Sequence, residues 1–139
     1  ATEGKGRLVK WCEDVRALAD ALGLCKFFTR TAFLFPEQLV EIIRPITGLE
    51  FSAEELMKIG ERIVNVERLF NMREGFDRSK DTLPERLRKE PLSSGLSQGS
   101  VVELEPMLDD YYDARGWDRE TGTPTPEKLR ELGLGSVYV

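Results

Sequence analysis

Residues 52–75 read Ser52-Ala53-Glu54-Glu55-Leu56-Met57-Lys58-Ile59-Gly60-Glu61-Arg62-Ile63-Val64-Asn65-Val66-Glu67-Arg68-Leu69-Phe70-Asn71-Met72-Arg73-Glu74-Gly75, and this stretch decides the fold. Ser52 with Glu55 three residues later is a capping box, in which each side chain satisfies the other's backbone N–H. Leu56, Ile59, Ile63, Val66 and Phe70 recur at three- and four-residue steps, one stripe of an amphipathic helix. Gly75 is suited to end it, so about 22 residues spanning ~33 Å are predicted helical. Leu69 and Met72 fall off the stripe, which predicts packing on more than one side in the second half.

The same period runs outward in both directions. Upstream, Leu8, Trp11, Cys12, Val15, Leu18, Ala19 and Leu22 form a stripe closed by Gly23, and this stripe, Cys12 included, is expected to face the core. An aromatic stretch covers residues 27–35. Pro36 then opens a buried helix carrying Leu39, Val40, Ile42, Ile43 and Ile46, closed by Pro45 and Gly48. Downstream, a short helix is predicted near residues 83–88 and a Ser/Gly-rich loop over 93–100. Leu104, Met107, Leu108, Tyr111 and Tyr112 make another stripe, ended by Gly116, and Thr125-Pro126 starts a last short helix. Residues 133–139 read as irregular. The sequence shows no internal repeat and no alternation long enough to build a sheet. The reading is an all-α, irregular multihelical single domain of about five to six helices over residues 1–139.

Composition excludes several functions. With 20 Lys+Arg against 25 Asp+Glu the net charge is −5, so the basic footprint of a nucleic-acid binder is absent. No apolar run approaches the roughly 20 residues that span a bilayer. There is no His, which rules out a histidine base or a His-ligated zinc within these residues. Two cysteines, Cys12 and Cys25, are too few for a disulfide framework and point to a reducing cytoplasm. The chain opens on Ala1 rather than Met and is expected to be a processed or excised piece of a longer protein.

The segment that carries chemistry is Asp20-Ala21-Leu22-Gly23-Leu24-Cys25. Asp20 lies in the last turn of its helix, where the macrodipole disfavours a carboxylate by a few tenths to about 1 kcal/mol. It points away from the Leu8–Leu22 stripe. Gly23 reverses the chain and delivers Cys25 beyond the helix end, where that C-terminus does nothing to favour a thiolate but a metal would. On these facts alone Asp20 also reads as a solvated surface residue and Cys25 as a small buried hydrophobe.

The turn resembles the Asp-x-x-Gly-Leu-Cys motif of the tungsten-containing aldehyde:ferredoxin oxidoreductases. Further blocks follow in the family's order: Asn65-Val66-Glu67-Arg68-Leu69-Phe70-Asn71-Met72-Arg73-Glu74-Gly75-Phe76, then Asp81-Thr82-Leu83-Pro84-Glu85-Arg86, then Gly116-Trp117-Asp118 through Leu132-Gly133-Leu134. The resemblance covers essentially the whole chain and implies the C-terminal domain of a larger enzyme. It implies that Asp20, Gly23 and Leu24 bind one pterin of a tungsten-bis-pterin cofactor and that Cys25 is the fourth ligand of a [4Fe–4S] cluster. A carboxylate accepts from pterin N–H donors, and thiolates are the usual cluster ligands. The implied partners are the remainder of the parent polypeptide, ferredoxin and an aldehyde; the exposed cofactor face is expected to favour self-association. No catalytic residue is assigned within the chain, and one thiolate cannot hold a four-iron cluster, so the chain alone is expected to be apo and inactive. The alternative is a self-contained helical interaction module without cofactor.

The acids of the long helix invite a second reading. Glu67, Arg68, Arg73 and Glu74 sit among apolar neighbours, and a buried ion-pair network is preferred over a catalytic acid. Glu67 is expected to pair with an arginine, so that Glu67→Gln would lower stability. Tyr111, Tyr112 and Trp117 are expected to pack in the core rather than stack on a ligand.

Overall fold

The computed structural model describes residues 2–31 and 35–136, leaving aside the side chains of residues 30 and 31. Its helices are α1 (Lys5–Ala21), α2 (Lys26–Thr31), α3 (Pro36–Thr47), α4 (Ala53–Arg73), α5 (Glu85–Lys89), α6 (Leu104–Arg115) and α7 (Pro126–Glu131), with a 3-10 turn at Arg78–Lys80. Among the described residues, the single β feature is the isolated bridge between Trp117 and Pro124. The fold is all-α. One helix more than expected forms because the start of the aromatic stretch winds into α2; Phe33 lies outside the described residues, as do residues 137–139 of the tail.

The local signals act as read. The Glu55 N–H donates to Ser52 Oγ over 3.1 Å and the Ser52 N–H donates to Glu55 Oε2 over 2.7 Å, starting α4. Gly48 and Gly116 close α3 and α6 at positive φ. Pro45 does not stop α3; it sits in the last turn, and the helix runs on to Thr47.

The faces that pack differ from the apolar stripes. α1 buries Gly6, Asp14, Ala17, Leu18 and Ala19, whereas Leu8 is 52% exposed and Trp11 and Leu22 are more than one-third exposed. Cys12 is half-buried. α4 buries Leu56, Gly60, Glu61, Asn65, Arg68 and Leu69, while Val66 and Phe70 stay exposed. The reason is close helix approach. A Cβ on Gly60 would collide with the Asp14 carbonyl, and one on Gly6 with the backbone of Tyr111. Helices that meet this tightly present their small residues to each other, and the larger apolar side chains are displaced to the flanks. An apolar core remains where α1, α3 and α4 converge: Leu18, Leu39, Ile43 and Leu56 are buried together, with Leu24 and Phe51 packed against them.

Candidate functional site

The end of α1 is a Schellman turn. The Gly23 N–H donates to the Asp20 carbonyl over 3.0 Å, and the Leu24 N–H reaches back to the Ala19 carbonyl over 2.8 Å. Gly23 has φ +67°, a backbone conformation that glycine adopts without the Cβ penalty. Leu24 folds its side chain onto the core cluster, which anchors the turn from inside. A Cβ at Gly23 would meet nothing within 4 Å, so the outer side of the turn is open.

Asp20 and Cys25 are the residues left outside. The Asp20 carboxylate is 54% exposed and pairs with Lys26 at 3.0 Å. Cys25 is exposed, and its carbonyl accepts from the Thr29 N–H at 2.9 Å, so it stands immediately before the first turn of α2. The sequence placed the thiol only behind the C-terminus of α1. The structure puts it also at the start of a second helix, α2. Exposed Phe27 and Phe28 follow directly.

A second polar cluster lies on the other side of α1 and is closed on itself. Arg115 is fully buried; its Nη1 donates to Asp14 Oδ1 at 2.5 Å, its Nη2 to Glu13 Oε2 at 2.7 Å, and its Nε to Tyr111 Oη at 3.0 Å. Lys10 also reaches Asp14, at 2.9 Å. Across Trp117, Arg68 clamps Asp81 through both Nη atoms at 2.9 and 2.7 Å and donates to the Gly122 carbonyl through Nε. Trp117 lies under the Arg68 guanidinium, 4.9 Å from it, and donates through Nε1 to Asn65. Tyr112 donates to Asp81 Oδ2 at 2.6 Å. Burial first, then the neighbouring carboxylate, raises the ionisation of both Tyr111 and Tyr112 above the ordinary tyrosine range. Tyr112 and Trp117 are core residues, as expected, and Tyr111 is mostly covered.

The expected partner of the buried arginine is wrong. Glu67 is exposed, and Arg73 with Glu74 forms an exposed pair at 3.6 Å. Arg68 is paired by Asp81, from the chain after α4, because α4 turns the arginine inward and Glu67 outward. Asp81 sits in a quoted block of the sequence, but nothing local marks it as the counter-ion. Asp14, Arg115 and Lys26 were likewise missed; their signal was a charge on a face or helix end that opposes it, which periodicity in apolar residues does not report.

Among the described residues, no group of three or more His, Cys, Asp or Glu side chains is placed to hold a metal. No described helix is long and apolar enough to cross a membrane. Cys25 presents one exposed thiol and Asp20 one half-exposed carboxylate. That donor set fits an iron–sulfur cluster and a pterin in part, with an accessible thiol and an acceptor on one rigid turn.

Residues 1–134 match the family model described as aldehyde ferredoxin oxidoreductase, domains 2 and 3. Tungsten-containing aldehyde ferredoxin oxidoreductases of Pyrococcus abyssi and Pyrococcus furiosus are 46% and 40% identical over 134 and 138 residues, 96% and 99% of this chain. The chain spans 22% of the length of each. Among solved structures, the active site complex BamBC of benzoyl coenzyme A reductase in complex with 1,5-dienoyl-CoA contains a chain that superposes with TM-score 0.73 at 29% identity, over 95% of this chain and 19% of that one.

Proposed function

Because the chain belongs to the aldehyde ferredoxin oxidoreductase family, we propose that it forms one wall of the cofactor site in a tungsten-pterin, iron–sulfur enzyme that oxidises aldehydes to carboxylic acids and passes the electrons to ferredoxin. The observation that carries this reading is the turn itself, which seats Leu24 in the core and leaves Asp20 and Cys25 on its open side. The Asp20 carboxylate accepts from pterin N–H donors. The Leu24 N–H is committed to Ala19, so any backbone contact from Leu24 to the pterin comes through its carbonyl. Gly23 keeps the outer surface of the turn free of a side chain. Cys25 contributes the fourth thiolate of a [4Fe–4S] cluster. A tungsten-pterin held by Asp20 and Leu24 would supply the two-electron oxidation of the aldehyde, and a cluster held in part by Cys25 would supply one-electron transfer.

The remainder of the parent polypeptide supplies the other ligands. It covers an apolar flank that includes Leu8 and Trp11 on α1, Leu22 at its C-cap and Phe28 on α2. Alone, the domain is apo and inactive, and the open flank favours self-association; light scattering that stays monodisperse at high concentration argues against that surface. The parent works in the reducing cytoplasm, consistent with two free cysteines.

The test is Cys25→Ser in the full-length parent. Iron content falls and the visible cluster absorption is lost, while Cys12→Ser leaves both in place. A Cys25→Ser enzyme with full iron content overturns the assignment.

A further inference from the structure

We propose that the groove among α1, α4 and α6 seats the stretch of parent polypeptide that leads into α1, docked there as a short amphipathic segment. The inference rests on the family membership and not on the cofactor assignment. It also concerns a different surface from the flank described above. At about 100° per residue, Val9 and Glu13 lie roughly 100–160° round α1 from Leu8 and Trp11.

The groove comes from how three helices meet. α1 packs against both α4 and α6. A space of about 570 Å³ opens among the three, with residues 80–83 and Trp117 completing its lining. Along α1 the lining runs from Lys5 to Glu13, ~12 Å at a rise of about 1.5 Å per residue, which is room for about two turns of a helix.

Its chemistry favours an apolar occupant. Val9, Val64, Leu83, Leu104, Met107 and Leu108 line it, and Val9 is 46% exposed. The donor groups at its base are already engaged. Arg68 gives Nε to the Gly122 carbonyl and both Nη atoms to Asp81, and Trp117 gives Nε1 to Asn65. The Tyr112 hydroxyl donates to Asp81 and that of Tyr111 to Glu13. A small polar ligand gains little from such a base, whereas an apolar side chain gains by leaving water. Lys5, Lys80 and Glu67 stand at the rim, exposed and outside any ion pair among the described residues. An apolar floor with charges of both signs at its edge matches an amphipathic helix laid into a groove.

The occupant is identified by where the chain enters. The Thr2 hydroxyl bonds to the carboxylate of Glu103, the N-cap of α6. Leu104 and Met107 line the groove directly after Glu103, and Lys5 and Gly6 line it just after Thr2. Polypeptide arriving at Thr2 therefore passes the mouth of the groove. The chain spans 22% of the length of its relatives and corresponds to their C-terminal region, so polypeptide precedes it in the parent.

The test is a photo-reactive p-benzoylphenylalanine in place of Met107, and separately in place of Val9, in the full-length parent. The cross-linked peptide is identified by mass spectrometry. Both cross-links land within about 20 residues ahead of residue 1, since two helical turns and a connection of roughly 2–8 residues reach no further. The half-exposed Val9 position keeps the test open if the bulky probe disturbs folding at Met107. Cross-links to a distant part of the parent, cross-links to a second molecule, or none at either position overturn the proposal. The outcome is independent of iron loss in Cys25→Ser, so either reading can fail without the other.

Discussion

Asp14 and Asp20 lie six residues apart on α1 and have opposite surroundings. Asp14 is buried, held by Arg115 at 2.5 Å and Lys10 at 2.9 Å. Asp20 is half exposed, with one lysine across a turn. The first carboxylate is satisfied by its own chain and acts as a packing element. The second keeps acceptor capacity that nothing in the described chain uses. The difference separates structural charge from charge available for a ligand, which residue type alone does not do. Removing one partner of the buried pair gives the largest effect. Arg115→Leu takes the closer of its two partners from Asp14, leaving Lys10, removes the bond to Glu13 as well, and costs about 3–5 kcal/mol in urea unfolding. Asp20→Asn changes stability by less than about 0.5 kcal/mol. Equal costs at the two sites would break the distinction.

The phenols of the buried cluster give the next effect, and its sign follows from linkage. Tyr111 and Tyr112 ionise with more difficulty folded than unfolded. The folded state therefore holds its phenolic protons at pH values where the unfolded chain releases them. The stabilisation is complete below the unfolded tyrosine range, near pH ~10, and is lost as pH rises beyond it. Alkaline titration followed by tyrosinate absorbance and circular dichroism shows Tyr111 and Tyr112 ionising together with unfolding. Tyrosinate signal from both residues in a still-folded chain contradicts this.

Two glycines sharpen the same contrast. Gly60 is helical, where alanine would normally gain up to about 1 kcal/mol, but its Cβ would strike the Asp14 carbonyl. Backbone cannot move aside as a flexible side chain does, so Gly60→Ala destabilises, by about 1–3 kcal/mol. Gly23 has open space around it and a positive φ, so Gly23→Ala pays only the conformational cost, about 1 kcal/mol. A stabilising Gly60→Ala, measured by thermal unfolding, means that α1 and α4 are further apart than described here.

Sequence periodicity made the helices and their ends legible, since capping and glycine stops are local: Ser52 with Glu55, Gly48, Gly116 and the Thr125-Pro126 start all act where they were read. It misplaced the buried faces of α1 and α4. Leu8, Trp11, Val66 and Phe70 lie on the apolar stripes yet remain exposed on this domain. The faces that meet were chosen by the closeness of Gly6 and Gly60 and by the Asp14–Arg115 pair, which joins residues 101 positions apart. Such a pairing leaves no trace in local spacing. The turn was legible as a motif, through Asp20, Gly23, Leu24 and Cys25, but Lys26 was not, because a lone lysine acquires meaning only when the turn brings it to Asp20.

The last contrast distinguishes two acids near Arg68. Asp81 accepts both Nη bonds and the Tyr112 hydroxyl, so Asp81→Asn removes charge-assisted bonds at a largely covered site and costs about 2 kcal/mol. Glu67 precedes the arginine in sequence but faces outward, so Glu67→Gln changes stability by less than about 0.5 kcal/mol. A double-mutant cycle of Arg68→Met with each acid reads the coupling directly. Strong coupling is expected with Asp81 and none with Glu67. Coupling to Glu67 would mean that α4 is rotated from the orientation seen here, and the buried face built on Gly60, Asn65 and Arg68 would have to be redrawn with it.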